Sequence, residues 1–391
     1  MKRFDRREFL LSSAALGGAI FLGGCGSSSS QGGSSSASTT TAVSYPGSVE
    51  SEPNRLLVSE WQGYEAGGTK AQTYGLEAGS VYTKRFGASG LTYANYGNDD
   101  KNLNKMRAGQ QFDLLHPCVD YAQDYVDSGL VQPFDTALLP SFDELASAFT
   151  ERGKIDGQQY WIPWDWGFGS VLYRSDKVDP ADATGWELMW NERYSGKISM
   201  WDGGSTPVML AGLLTDPPAK DIFNQTADEL ERSKAKLIEQ KPLNKFYWES
   251  EYGDMQPAFQ AGDIWITYAW PADYKAMGEA LGYDKVEYMN PSQGKLAWVC
   301  GFMMGKETKS PLHAHAYVES FINHAASVDL VNLFAYGASN KTVTRNEVKD
   351  TRLADQLGIS DPNAFTPPVH VERHIPNRPQ YQLAWAEVKA T

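Results

Sequence analysis

The apolar positions of this chain fall into two kinds of period. Residues 55–60 form a short apolar run ending at Trp61, residues 112–116 form another, and residues 99–108 between them carry a polar helical pattern. Strand, helix and strand are predicted in that order. Thr226-Ala-Asp-Glu229 has the residues of a capping box and opens a charged helix to Gln240, while Ser310-Pro311 opens another through about Ala326. Residues 264–269 and 302–304 are short enough for buried strands. This alternation predicts an α/β fold built on open sheets, and a body of about 340 residues is natural for two of them.

The first residues read as an address. Lys2, Arg3, Arg6 and Arg7 precede an apolar stretch over residues 9–22 that is too short to span a bilayer and closes on Leu22-Gly23-Gly24-Cys25. Small residues ahead of a cysteine resemble a lipoprotein cleavage box, and Arg6-Arg7-Glu8-Phe9-Leu10 resembles the twin-arginine export signal for cargo that folds before export. The expectation is an export signal over 1–24, lipid on Cys25 and a membrane anchor through it. Residues 26–52 are dominated by Ser, Gly, Thr and Ala, a flexible tether that reaches roughly 30 Å as a random coil.

Two further cysteines, Cys118 and Cys300, would stand in a compartment that permits disulfides. The chain carries formal charge −13, and removing a leader with four basic and two acidic residues leaves the mature chain near −15. That balance argues against nucleic acid as a partner and suits a cationic ligand. Aromatic residues are abundant, with 12 Trp and 20 Tyr, and many sit beside turn residues rather than along helical faces. Because the polar tips of Trp and Tyr need partners, such clusters suggest an aromatic-walled cleft as much as a core.

At these same segments the sequence resembles the spermidine/putrescine family of periplasmic binding proteins, the receptors of ABC importers. The resemblance lies in Glu60-Trp61-Gln-Gly-Tyr64, in residues 163–169 followed by Leu172-Tyr173-Arg174, in Gly196-Lys-Ile-Ser-Met-Trp-Asp202 and in Trp248-Glu-Ser250. It continues through Phe259-Gln-Ala-Gly-Asp263, Trp270-Pro-Ala-Asp273, Asn290-Pro-Ser-Gln-Gly294 and Tyr336-Gly-Ala-Ser-Asn340. It implies a type II two-lobed fold, each lobe an open α/β sheet, closing by a hinge on a ligand between them. The first lobe would comprise 53–163 and 271–325, the second 164–270 and 326–391. The implied partners are a small cationic amine, an ABC permease and its ATPase, and the implied location is outside the inner membrane.

Carried over residue by residue, the resemblance places Trp61, Tyr64, Trp270 and Tyr336 on cleft aromatics and Asp273 on an ammonium-binding carboxylate, with Trp248 nearby. Cys118 stands where the family has a serine, followed by Asp120 and Tyr121. Asp202 begins a segment that ordinarily supplies more acids, and Cys300 replaces an aspartate. The displaced carboxylates leave three readings: a polyamine whose second ammonium meets Asp120, Asp165, Asp202 or Glu249, a quaternary amine such as choline or betaine in an aromatic box, or, less favoured, a ligand outside the amine class. A bridge between Cys118 and Cys300 across the cleft would lock the lobes and is not expected. Import and ligand sensing need the same cleft and are not separated by sequence.

An enzyme is not expected, nor a cofactor or metal. The six histidines form no catalytic arrangement; His313 and His315 are two apart on a predicted helix and read as solvated, and His370-Val-Glu-Arg-His374 is not in the zinc-protease order. No Gly-rich phosphate loop is present, so ATP hydrolysis would belong to another subunit.

Overall fold

A computed structural model of the chain describes residues 43–61, 64, 81–87, 89–249, 251–361, 364–365 and 368–391. The export signal, Cys25 and most of the tether lie outside the described residues. No described helix is long and apolar enough to cross a membrane.

The predicted opening holds: β1 (Leu56–Trp61) and β2 (Leu91–Tyr96) pair in parallel, α1 (Asp99–Arg107) follows, and β3 (Leu114–Leu115) pairs in parallel on the other side of β1. Helix α1 starts where the Asn98 side chain accepts the Asp100 N–H at 2.9 Å. A short α2 (Ala122–Asp127) leads towards β4 (Trp161–Arg174), a strand of 14 residues that is buried almost throughout.

Strand β4 belongs to two sheets. Its first part pairs antiparallel with β9 (Lys295–Gly305), which pairs in turn with β3. Its last residues pair antiparallel with β7 (Ile266–Ala269), which is parallel to β5 (Ile198–Trp201), itself parallel to β6 (Asn244–Trp248). The order β2-β1-β3-β9-β4-β7-β5-β6 is therefore continuous. Between the parallel strands of the second sheet run α3 (Thr206–Leu213) and α4 (Ala227–Gln240). Helix α4 opens with the capping box read from the sequence: Thr226 N–H donates to Glu229 at 2.8 Å and Glu229 N–H to the Thr226 hydroxyl at 3.3 Å.

The apolar cores draw the lobes differently from the expected bounds. Helix α5 (Pro271–Leu281) places Met277 in the core of the second sheet, and β8 (Val286–Tyr288) pairs with the end of β4. Residues 331–359 pack instead in the first core, with β10 (Val369–Val371) parallel to the start of β9. Ile375 and α8 (Arg378–Ala390) return to the second core, the helix through Tyr381, Ala384, Trp385 and Val388. The chain thus crosses between lobes within β4, at the start of β9 and between β10 and α8. Short apolar segments are ambiguous in lobe assignment because either core satisfies them equally; pairing partners decide.

The helix expected over 311–326 is two helices, α6 (Pro311–Ile322) and α7 (His324–Phe334), because Asn323 turns extended and its side chain caps the Ala326 N–H at 3.0 Å. On α6 the two histidines are buried rather than solvated: His313 Nδ1 meets the Tyr82 hydroxyl at 3.1 Å, and His315 Nε2 accepts the Asp135 N–H at 2.9 Å. Among the described residues no group of acids, histidines and cysteines forms a metal-binding cluster.

Candidate functional site

The parallel strands of the two sheets run in opposite senses along β4, so their C-terminal ends meet near its middle, where open α/β sheets place their binding crevices. Trp61 closes β1, and Tyr96 closes β2 just before Asn98 and Asp99. Trp201 closes β5, and Glu249 and Trp270 follow β6 and β7. All of these line one cavity of about 160 Å³. Two aromatic walls face it. Trp201, Tyr268 and Trp270 form one, with ring centroids 5.1–5.9 Å apart. Trp61 against Tyr96, and Tyr336 between Tyr64 and Trp298, form the other.

Two glycines let these rings lie close to β4. A Cβ on Gly167 would stand 2.5 Å from the Trp298 ring, and one on Gly169 would stand 1.8 Å from the Tyr268 hydroxyl. Between them and the strand start, the pairing of Cys300 with Asp165 and of Gly301 with Pro163 leaves Trp164 bulged out. Pro163, with no N–H to give, is tolerated at this bulge, and the bend turns Asp165 towards the cavity.

Of the expected site residues, Trp61, Tyr64, Cys118, Asp120, Tyr121, Trp270, Cys300 and Tyr336 line the cavity. Asp202, Trp248 and Asp273 do not. The Asp202 carboxylate accepts the Trp385 indole N–H at 2.6 Å and the Lys389 ammonium at 2.8 Å, tying β5 to α8. Trp248 is fully buried behind Trp201 and Trp270, its indole N–H donating to Thr267. Asp273 is the third residue of α5 and accepts the Trp270 N–H at 2.9 Å and the Gln256 amide at 2.8 Å. Each fits its motif position, yet the fold gives its polar group a structural partner.

Cys118 and Cys300 are disulfide-bonded. Both belong to the first lobe, on directly opposed backbone positions, so the bridge staples that lobe and does not lock the two together.

Five acids among the described residues line the cavity: Asp99, Asp120, Asp165, Glu249 and Glu372. Three are matched. Asp120 bonds Arg378 at 3.0 Å, and Glu249 meets Lys101 across the rim at 3.0 Å. Asp165 accepts from His116 at 3.0 Å and from the Tyr64 hydroxyl at 3.0 Å. His116 is fully buried, bridging Asp165 and Glu60, whose carboxylate lies 2.5 Å from Nδ1. Burial alone would neutralise this imidazole, but the two flanking carboxylates raise its pKa to about 10, so it is an imidazolium.

The other two acids are unmatched. Asp99 is 5% exposed; one oxygen accepts the Cys118 N–H at 3.3 Å and the other has no partner among the described residues. Burial, then the nearby Asp120 charge, holds its carboxyl well above the usual range. The Glu372 side chain bonds nothing among the described residues, and burial, Asp120 and Asp99 push its carboxyl up as well. Unpaired buried carboxylates are costly unless a cation joins them. Asp99 and Glu372 were not singled out from sequence: Asp99 sits in a polar helix start that reads as solvated, and Glu372 in a tail segment of no recognisable motif.

The profile of bacterial extracellular solute-binding proteins matches residues 82–355. The spermidine/putrescine-binding periplasmic protein of Salmonella typhimurium is 20% identical over 268 residues, covering 66% of this chain and 72% of that protein. The putrescine-binding periplasmic protein SpuD of Pseudomonas aeruginosa is 21% identical over 370 residues, 89% of this chain and 96% of that one. Among solved structures, the TpPotD lipoprotein of Treponema pallidum superposes with TM-score 0.70 at 15% identity, over 85% of this chain and 98% of that one. The Agrobacterium tumefaciens protein MotA in complex with glucopine superposes with TM-score 0.66 at 12% identity, over 86% and 99%. With its two-lobed α/β fold and a cavity at the strand ends of both sheets, the chain belongs to the bacterial extracellular solute-binding proteins, which are ligand-binding components of transport and not enzymes.

Proposed function

We propose that this protein is the extracytoplasmic receptor of an ABC importer and that its ligand is a polyamine of the putrescine class. The observation that carries this reading is the pair Asp99, buried, and Glu372, half-buried, two carboxylates on an aromatic-walled cavity with no cationic partner among the described residues. Each ammonium of a diamine gains roughly 4 kcal/mol from a carboxylate at about 4 Å before desolvation, and a ring face adds roughly 0.5–2 kcal/mol. A few such contacts reach micromolar affinity, about −8 kcal/mol. Ser205, whose hydroxyl lines the cavity with no partner among the described residues, adds an acceptor. The relatives named for putrescine and spermidine point the same way.

One group favours a second reading. Trp298 lines the cavity, its indole N–H has no partner among the described residues, and an amine, being all donor, leaves it so. A betaine, carrying a carboxylate as well as a cation, would satisfy it. Thermal unfolding against putrescine, spermidine, choline and glycine betaine at equal concentration separates the two. A ligand at a hundred times its Kd stabilises the fold by roughly 2.7 kcal/mol. A shift with putrescine is expected; a shift with the methylated cations alone selects the second reading, and no shift with any of the four refutes both.

Lipid on Cys25 and export through the twin-arginine route belong to the same proposal. Labelling by a fatty-acid probe that is lost in Cys25→Ala is the expected result, and labelling that survives it refutes the anchor.

A further inference from the structure

Arg378 opens α8, which packs in the second lobe, yet its side chain reaches into the first and is only 4% exposed. Its Nη1 bonds the Asp120 carboxylate at 3.0 Å, Nη2 the Asp120 carbonyl oxygen at 2.5 Å and Nε the Asp124 carboxylate at 3.2 Å. The guanidinium carbon lies 3.6 Å from the centre of the Tyr121 ring. Two carboxylates and an aromatic face are the surroundings of an alkylammonium ligand. Here a side chain of the protein holds that place. Asp120 and Tyr121 both line the cavity, so this cation site is continuous with it.

We propose that Arg378 is a resident cation that closes one end of the ligand groove, so that the site takes a diamine and rejects a triamine. The inference rests on the amine reading above and deepens it. A dication meets the two unmatched carboxylates, Asp99 and Glu372, and can share Asp165 with His116. A third ammonium would need Asp120, which Arg378 already satisfies. Left buried without a partner, that charge is costly enough to exclude the longer ligand. Because Arg378 and Asp120 come from different lobes, the same contact draws the lobes together before any ligand does.

Calorimetric titration of the purified protein with putrescine and spermidine tests this. The native protein is expected to bind spermidine at least tenfold more weakly than putrescine. Arg378→Ala, which frees Asp120, Asp124 and the Tyr121 face, should narrow that ratio at least tenfold, and Arg378→Lys should restore it. The double variant Asp120→Asn/Arg378→Met removes both charges at similar volume and should gain nothing for spermidine. Equal native affinities overturn the proposal while leaving the amine reading intact. So does a folded Arg378→Ala with an unchanged ratio, or a double variant that gains the triamine. Should Arg378→Ala fail to fold, the native ratio and the double variant decide. Binding of neither amine overturns both readings.

Discussion

Replacing Asp99 with Asn keeps the shape of a 5% exposed side chain and removes an ionisable group that has no cationic partner among the described residues. If a ligand ammonium sits near its unpartnered oxygen, the full attraction is roughly 4 kcal/mol at about 4 Å. Part of that is spent desolvating the ammonium and deprotonating an acid that burial and Asp120 hold well above its ordinary pKa. Losing a charged hydrogen bond costs about 1.5–3 kcal/mol, so the Kd for putrescine should rise roughly ten- to hundredfold. The ligand-free protein should respond in the opposite direction. In the unfolded chain Asp99 ionises at its usual value and in the folded chain only at higher pH, so the fold loses stability progressively as pH rises between the two, and Asn removes that loss. Calorimetry at pH 5–8 with thermal unfolding in parallel reads both. Putrescine affinity of the native protein should climb with pH as Asp99 gives up its proton, and climb less in Asp99→Asn. An unchanged Kd, or a ligand-free variant less stable than the native protein, would refute this assignment of Asp99.

Three further outcomes are expected. Removing the bridge with Cys118→Ala/Cys300→Ala, which releases a loop of sequence separation 182, should cost about 2–4 kcal/mol in denaturant unfolding; no loss would mean the bridge does not form. His116→Asn leaves Glu60 and Asp165 buried without their imidazolium and should cost about 3–5 kcal/mol near neutral pH. With the His116 pKa raised to about 10, its stabilisation is complete below about 6.5 and lost as pH rises through 10; a native stability curve flat over that window refutes it. Gly167→Ala puts a methyl against the Trp298 ring and should change indole fluorescence and weaken putrescine binding, the unaltered spectrum being the contrary result.

What was legible in the sequence depended on whether the signal was local. The run ending at Trp61, the start of α1 and the Thr226 capping box are each set by neighbours a few residues apart, and all three appear as read. Of the aromatics that line the cavity, Trp61, Tyr64, Trp270 and Tyr336 were named through the family resemblance, whereas Tyr96, Trp201 and Tyr268 were not, because a ring beside a strand end serves a core as readily as a cleft. Charge pairing was not. Asp202 and Asp273 occupy expected motif positions, yet Lys389 lies 187 residues from Asp202, and the start of α5 engages Asp273. The Glu60–His116–Asp165 chain joins residues 56 and 49 apart that no short pattern links. Glu372 reaches the cavity only because β10 lies beside the start of β9, and a three-residue strand in a tail announces no partner.

The position of β9 bears on how the protein is made. It lies between β3 and β4, so the first sheet stays split until residues 295–305 have been synthesised, long after both of its neighbours. At about 5–20 residues per second, the interval from the end of β4 to the end of β9 is roughly 7–26 s. For that time the ribosome carries two exposed apolar strand edges with nothing native to pair them. Helix α8, which brings Arg378 to Asp120, comes later still. The first lobe therefore cannot mature ahead of the second during translation; both complete together, after nearly the whole chain has emerged.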